Sequence, residues 1–212
     1  DPVNCMTALF GSLHEAGHAL YMQGIPHDRL WFGVDEEGAS HGIHESQSRF
    51  WENSIGRSDA FAEIVGRMEP DIDAEHLSRL SRRIVRSTLR IGADEVSYNL
   101  HIALRVELEQ ALVSGSLTVA ELPAAWNEYS ERILGCRPEC PTDGILQDIH
   151  WSTGIIGGFA CYLMGNLYAS GIAETISADV GVLDILIASG RFEPIRDWLR
   201  DKIHRYGRVL SP

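Results

Sequence analysis

The sequence has no apolar run long enough to cross a membrane and no excess of basic charge. A membrane-spanning helix needs about 18 or more consecutive apolar residues, and no stretch of the 212-residue chain has them. Lysine and arginine total 18 against 30 aspartates and glutamates, a net charge of -12. Because binding to a nucleic acid calls for a basic face, we expect neither a nucleic-acid partner nor a membrane partner.

Cysteine is also scarce, and the chain has only Cys5, Cys136, Cys140 and Cys161. Cys136 and Cys140 are close enough in sequence to form a disulfide or half of a metal site. No second pair with the spacing of a zinc ribbon follows them, so we favour free thiols in a reducing compartment. The first residues lack the basic and apolar regions of a signal peptide. These features together predict a cytoplasmic protein.

Internal repeats, low-complexity tracts and long linkers are absent as well, which favours a single domain over residues 1–212. Apolar periodicity predicts helices over 7–24, 43–68, 73–88, 93–114, 118–134 and 155–177, then a short helix to 189 and a last helix from Pro194 to near Gly207. Residues 30–34 and 39–42 read as two short strands joined by a turn. We therefore predict a mainly α fold with a small β-hairpin between the first two helices.

The first predicted helix carries His14-Glu15-Ala16-Gly17-His18, the pattern His-Glu-x-x-His. Residues four apart share a helix face, so the two imidazoles can bind one zinc ion through Zn–N bonds of about 2.0–2.1 Å. Glu15 lies beside them and can take a proton from a metal-bound water. The alternative is a helix with two ordinary histidines, because short motifs also occur by chance.

A catalytic zinc site usually takes three protein ligands and leaves one position for water. Glu45 is the candidate third ligand, because it lies near the start of the second predicted helix, which can pack beside the first. His44 is the alternative donor. Glu45 can equally be a carboxylate that the dipole favours at a helix N-terminus, and these residues alone do not decide between the two interpretations.

The segment His14–Tyr21, followed by His44–Asn53, resembles the carboxypeptidase Taq family of thermostable-carboxypeptidase-type metallopeptidases. Further similar blocks follow in the same order, at 89–102, 146–152, 165–168 and 198–207. The similarity covers nearly the whole chain, which corresponds to the C-terminal catalytic portion of the longer family members. The resemblance implies a gluzincin fold and a metallopeptidase that removes single residues from peptide C-termini.

The resemblance also implies roles for particular residues. His14, His18 and Glu45 would bind zinc, or sometimes cobalt, and Glu15 would act as general base and acid. Arg90 matches the family arginine before Ala-Asp-Glu, and its guanidinium suits the terminal carboxylate of a peptide substrate.

His150 matches the family His-Trp-Ser block and is a candidate donor to the substrate or the oxyanion. A structural hydrogen bond is the alternative for both Arg90 and His150. Gly158 stands where the family has a tyrosine that can donate to the oxyanion, and Tyr162 is the candidate replacement.

In the longer family members a further helical half forms the other wall of the substrate cleft, and this chain has no counterpart to it. That difference and Gly158 suggest a second interpretation. In it the chain is a metal-binding homologue with weak or no catalysis, which acts as an interaction module or forms a homodimer.

Overall fold

The structure, a computed structural model, describes residues 5–26, 40–207 and 209–210. Its described part forms two compact units: one takes the residues through Ser81 and those from Met164 onward, and the other is Arg82–Leu163. The single domain stays a prediction. None of the helices in the described ranges has the length and apolar character that a membrane crossing needs.

Helices make up most of the described chain. In chain order they are α1 Cys5–Gly24, α2 His41–Arg49, α3 Asp59–Met68, α4 Ala74–Ser81, α5 Glu95–Ser114, α6 Leu122–Leu134, α7 Phe159–Asp179, α8 Leu183–Ala188 and α9 Glu193–Lys202. A π-helical segment, Phe50–Ile55, continues α2, and short 3-10 turns occur at Pro141–Asp143, Trp151–Thr153 and His204–Tyr206.

Each unit has its own apolar core. In the first unit, α2 and its π-helical segment contribute Phe50 and Ile55, and the last three helices contribute Ile176, Ile187 and Leu199. In the second unit, the main cluster lies between α5 and α6 and contains Leu104, Leu108, Leu122, Trp126 and Leu134. The apolar periodicity of the sequence therefore corresponds to real buried faces.

The predicted β-hairpin is wrong. Ser40 has an extended backbone and its Oγ accepts a hydrogen bond from the Ile43 N–H at 3.1 Å, so it caps α2. His41 and Gly42, assigned by the sequence to a strand, form the first turn of that helix. No strand, sheet or hairpin occurs within the described ranges, and the predicted strand at 30–34 lies outside them. The fold class is helical without the hairpin.

The predicted helix over 43–68 is interrupted. The α-helical pattern widens at Phe50–Ile55, and the Gly56 N–H donates to the Trp51 carbonyl at 3.0 Å. Ser58 then caps α3 by accepting from the Phe61 N–H. Other ends move as well: α4 ends at Ser81 rather than 88, α6 begins at Leu122 rather than 118, and α7 begins at Phe159 rather than 155.

His204 in the first unit is a fully buried histidine. Its Nε2 lies 2.9 Å from Gln47 Oε1, and its ring packs edge-on against Tyr21. Burial, with a smaller contribution from the charge of Arg200, lowers the pKa of His204 from 6.5 to about 3. The folded chain therefore holds this imidazole neutral at pH values where the unfolded chain protonates it.

Acidification is expected to destabilise the fold through His204. Above pH 6.5 the imidazole is neutral in both states, and the free energy of unfolding has its full value. This free energy falls as the pH falls toward about 3, since only the unfolded state takes up the proton in that range. At pH 4.5 the expected loss from this residue is roughly 2–3 kcal/mol. Urea unfolding at several pH values measures it. His204→Gln should flatten the pH dependence by about one proton, whereas His76→Gln on the exposed side of α4 should not; equal slopes in both variants would contradict the assignment.

Candidate metal centre

Helices α1 and α2 bring His14, His18 and Glu45 together. The Nε2 atoms of the two histidines are 3.2 Å apart, and Glu45 Oε2 lies 3.7 Å from His14 Nε2 and 3.6 Å from His18 Nε2. Tetrahedral ligands with bonds of about 2.0–2.2 Å stand about 3.3–3.6 Å from one another. The three donor atoms therefore have the spacing that suits an ion of this kind, and no other group in the described part of the chain does.

Gly17, inside the His-Glu-x-x-His motif, lets α1 touch the backbone of α2. It is buried, and a Cβ at this position would lie 2.5 Å from the Gln47 carbonyl oxygen and 2.6 Å from Ser48 Cα. Gly165 of α7 makes a similar approach, because a Cβ there would lie 2.7 Å from Glu45 Cγ. These two glycines allow Glu45 to reach the histidines without a clash.

Replacement of Gly17 by alanine is therefore expected to destabilise the first unit and to weaken metal binding. Alanine is favoured over glycine in a helix by about 1 kcal/mol, but here its methyl group has to displace the α2 backbone, and overpacking of this kind costs about 1–3 kcal/mol. Gly11→Ala on the same helix is the matched control, because a Cβ there meets nothing within 4 Å. Thermal unfolding and zinc titration test the pair, and an increase in Tm for both variants would contradict the argument.

The carboxylate of Glu45, the candidate ligand, is itself held in place by its neighbours on α2. The Ser48 hydroxyl donates to Glu45 Oε2 at 3.2 Å, and Arg49 Nε donates to Glu45 Oε1 at 2.8 Å. His14 is held in the same way, since its Nδ1 lies 3.0 Å from Glu52 Oε2. Arg57 donates to the other oxygen of Glu52 at 2.8 Å.

Glu52 is ionised in this environment. Burial acts to raise the pKa of its carboxyl group, but the hydrogen bond with His14 and the charges of Arg49 and Arg57 outweigh burial and lower the pKa to about 2. None of the four supporting residues, Ser48, Arg49, Glu52 and Arg57, was predicted from the sequence. A signal was present, because Glu52 follows Glu45 by seven residues and so lies two helical turns along the same face.

The other residues predicted on these helices have distinct positions. His44 is not part of the donor cluster and stacks on His18, with ring centroids 4.4 Å apart. Burial, followed by the charge of His18, lowers the pKa of His44 to about 4. Burial, followed by the charge of His14, also lowers the pKa of His18 and so favours its neutral form. Glu15 is exposed beside the cluster.

Arg90, His150 and Tyr162 lie together in the second unit. His150 Nε2 is 2.9 Å from the Tyr162 hydroxyl, and the guanidinium carbon of Arg90 is 5.2 Å from the centre of the Tyr162 ring. Burial lowers the pKa of His150. Arg90 is buried and donates twice to Asp148 Oδ1, at 3.0 and 2.7 Å, and once to the Tyr98 hydroxyl at 3.0 Å.

Asp148 pairs with two arginines, and the second of these is Arg105. Arg105 is fully buried, with Nη2 2.6 Å and Nε 2.7 Å from Asp148 Oδ2. Two guanidiniums and one carboxylate leave one net positive charge in this group. Arg105 was not predicted from the sequence. A signal was present, because it lies among the apolar residues of the predicted helix over 93–114, three residues after Ile102 and three before Leu108.

The fold and the cluster define a helical protein in which a His-Glu-x-x-His helix and a glutamate from the next helix share a candidate metal centre, the arrangement typical of gluzincin metallopeptidases. The model of the Carboxypeptidase Taq (M32) metallopeptidase family matches residues 1–212. The chain belongs to this family, which confirms the resemblance noted in the sequence and implies a divalent metal.

Individual relatives agree with this assignment. The chain is 42% identical over 211 residues to Thermostable carboxypeptidase 1 of Thermus thermophilus, a match over 96% of this chain and 41% of that protein. The structure of the present chain is similar to that of the M32 carboxypeptidase from Deinococcus radiodurans R1, with a TM-score of 0.90 and 39% identity. The match covers 97% of this chain and 43% of the other. Metallocarboxypeptidase 1 of Trypanosoma cruzi also gives a TM-score of 0.90, with 34% identity over 96% of this chain and 44% of that one. The chain thus spans less than half the length of these relatives.

Proposed function

We propose that the chain is the metal-binding, catalytic portion of a metallocarboxypeptidase that releases single residues from the C-termini of peptides. The observation that carries this proposal is the donor cluster, in which two imidazole nitrogens and one carboxylate oxygen lie 3.2–3.7 Å from one another. Membership of a family of carboxypeptidases supports the same reaction.

In this proposal His14, His18 and Glu45 hold a zinc ion, with cobalt as the alternative. Two imidazoles and one carboxylate form a ligand set typical of catalytic zinc. When bound, the metal would supply Lewis acidity and lower the pKa of a water molecule. The ligands together carry one negative charge, so a divalent ion would retain a net positive charge at the site.

We assign the proton transfers to Glu15. Its carboxylate follows His14 directly in the chain and is exposed, so a water and a peptide can reach it. It would take a proton from the attacking water and pass that proton to the leaving amine. A carboxyl group suits both steps, because it is a base as the carboxylate before the attack and an acid once it has taken up the proton.

For the second unit, we propose that Arg90 contacts the terminal carboxylate of the substrate. The net positive charge that Arg90 and Arg105 share with Asp148 supports this role, since a carboxylate would neutralise it. We also propose that His150 and Tyr162, which are hydrogen-bonded to each other, donate to the substrate or to the oxyanion.

The free thiols of Cys136, Cys140 and Cys161 support the further proposal of a cytoplasmic location.

A second candidate function is a metal-binding module with little or no turnover that associates with itself. Exposed apolar side chains of the second unit favour it: Ile84 is 64% exposed, Ile91 82% and Val96 58%. A contiguous apolar patch is typical of an interaction face, and we propose that these side chains contribute to one. Gly158, which has no side chain to donate to an oxyanion, favours it as well.

The two functions are distinguished by a peptide assay on zinc-loaded protein. Peptides with a free C-terminus and the same peptides with an amidated C-terminus are incubated with the chain, and the products are identified by mass spectrometry. The proposed function predicts stepwise loss of single residues from the free acids alone, and reversal by a chelator. One equivalent of zinc without hydrolysis, together with a dimer in sedimentation, would favour the second candidate.

A further inference from the structure

Glu52 and Arg49 link two candidate metal ligands, His14 and Glu45, through atoms that are not the proposed metal donors. His14 Nδ1 lies 3.0 Å from Glu52 Oε2, and the same oxygen accepts from Arg49 Nη1 at 3.3 Å. Arg49 Nε in turn donates to Glu45 Oε1 at 2.8 Å. The chain of contacts thus runs from the imidazole of α1, through Glu52 and Arg49, to the ligand carboxylate of α2.

We infer that Glu52 and Arg49 are positioning residues of the metal centre, which orient His14 and Glu45 as a unit. The inference rests on the proposed role of His14, His18 and Glu45 as ligands. It assigns no contact with the substrate to either residue.

Glu52 determines which nitrogen of His14 is free to bind. A carboxylate can only accept a hydrogen bond, so the nitrogen that faces it carries the proton. With the proton on Nδ1, the lone pair of Nε2 points toward Glu45 Oε2 and His18 Nε2, which lie 3.7 and 3.2 Å away. Partners of this kind commonly fix the orientation and basicity of metal-binding histidines.

Arg49 makes the corresponding choice for Glu45. Its hydrogen bond occupies Oε1, so Oε2 is the oxygen left facing the two histidines. Both members of the pair are well anchored: side-chain exposure of Arg49 and Glu52 is only 12% each. Arg57 holds the second oxygen of Glu52, donates to the Ser81 carbonyl at 2.9 Å, and lies 4.2 Å from the centre of the Phe10 ring.

The backbone at Glu52 supports a specialised role. Glu52 lies in the π-helical segment Phe50–Ile55, and π-helical turns inside α-helices occur frequently at functional sites. Helix α1 lies close to this segment: a Cβ at Gly56, the residue that follows it, would lie 2.5 Å from Leu13 Cδ1. The widened turn therefore packs directly against the helix that carries His14.

Zinc affinity of two variants tests the inference. Glu52→Gln is expected to weaken zinc binding by about 10–100-fold, the usual effect of the loss of such a partner. Loss of a negative charge near the ion would also weaken zinc binding, so Glu52→Gln does not separate charge from positioning. Arg49→Gln is the variant that separates them. Its effect through charge alone would be tighter zinc binding, whereas loss of positioning predicts binding about tenfold weaker or more. Competition with a chromophoric chelator measures both dissociation constants.

The controls are Glu63→Gln and Arg79→Gln, two exposed positions in the same unit that should leave the affinity unchanged. Long-range proton–nitrogen NMR of the metal-free protein adds a second readout: the wild type should hold His14 protonated on Nδ1, and Glu52→Gln should give a mixture of tautomers. If Glu52→Gln does not fold, Arg49→Gln decides alone. Zinc binding as tight as or tighter than wild type in Arg49→Gln would overturn the positioning role, whereas a wild-type chain that binds no zinc would overturn the metal centre itself.

Discussion

Replacement of Glu15 by glutamine should remove peptide hydrolysis and leave the bound metal in place. Glutamine has nearly the same shape but cannot take a proton from water at neutral pH. General acid–base groups contribute about 10²–10⁴-fold to rate, and Glu15 is proposed to act in two proton transfers. We therefore expect kcat to fall by about 10³-fold or more, which corresponds to roughly 4 kcal/mol in the activation free energy.

The test depends on measuring metal and rate on the same samples. Glu15 is not a member of the donor cluster, so zinc stoichiometry of Glu15→Gln should equal that of the wild type. His18→Ala provides the contrast, because loss of a proposed ligand should remove zinc and activity together. Glu63→Gln, an exposed carboxylate in the same unit, should change neither. Full activity of Glu15→Gln would sink the mechanism, and a parallel loss of zinc would make Glu15 a determinant of metal binding.

Helices were predictable because they bury one face, and their ends were harder to predict. The apolar period continues from Phe50 to Met68 across the break, and only Gly56 itself signals a bend or a weak point there. Ser40 and Ser58 are both helix caps, and a serine ahead of an apolar period is a usable signal that the predictions did not apply. The hairpin was inferred from residue preferences alone, and a cap at Ser40 overrides those preferences at His41 and Gly42.

The candidate metal ligands were more predictable than the residues that support them. His14 and His18 are separated by one helical turn, so the sequence alone places them on one face. Glu45 required the added argument that the next helix packs beside the first. Glu52 meets His14 across 38 positions of sequence, and that contact depends on how closely Gly17 lets the two helices approach. The periodic pattern of apolar residues does not predict how closely two helices pack, so it does not predict this contact.

Arg105 illustrates the same limit for electrostatics. Its position three residues from Ile102 and from Leu108 places it on the buried face of α5, where an arginine needs a partner. The partner, Asp148, lies 43 positions later in a segment with no regular structure. The sequence can thus flag the buried charge, but it cannot name what neutralises it.

Asp148→Asn is expected to cause a large loss of stability in the second unit. The aspartate is the carboxylate that compensates two buried guanidiniums, at 2.7 Å from Arg90 and 2.6 Å from Arg105. Removal of one partner from a buried ion pair costs about 3–5 kcal/mol, because an uncompensated charge stays out of water. Urea unfolding measures the change. Glu107→Gln in the same unit is the matched control: its pair with Arg132 has both side chains about half exposed, 50% and 56%, and such pairs contribute about 0–1 kcal/mol.

A double variant separates the charge effect from simple loss of packing. Asp148→Asn raises the net charge of the group from one positive charge to two, and Arg105→Met in the same chain returns it to one. If uncompensated charge is the cause, the double variant should be more stable than Asp148→Asn alone, even though it has lost more hydrogen bonds. If packing or hydrogen bonding is the cause, the double variant should be the less stable of the two. The first outcome also bears on Arg90, because the remaining positive charge in the wild type is the charge that a substrate carboxylate would neutralise.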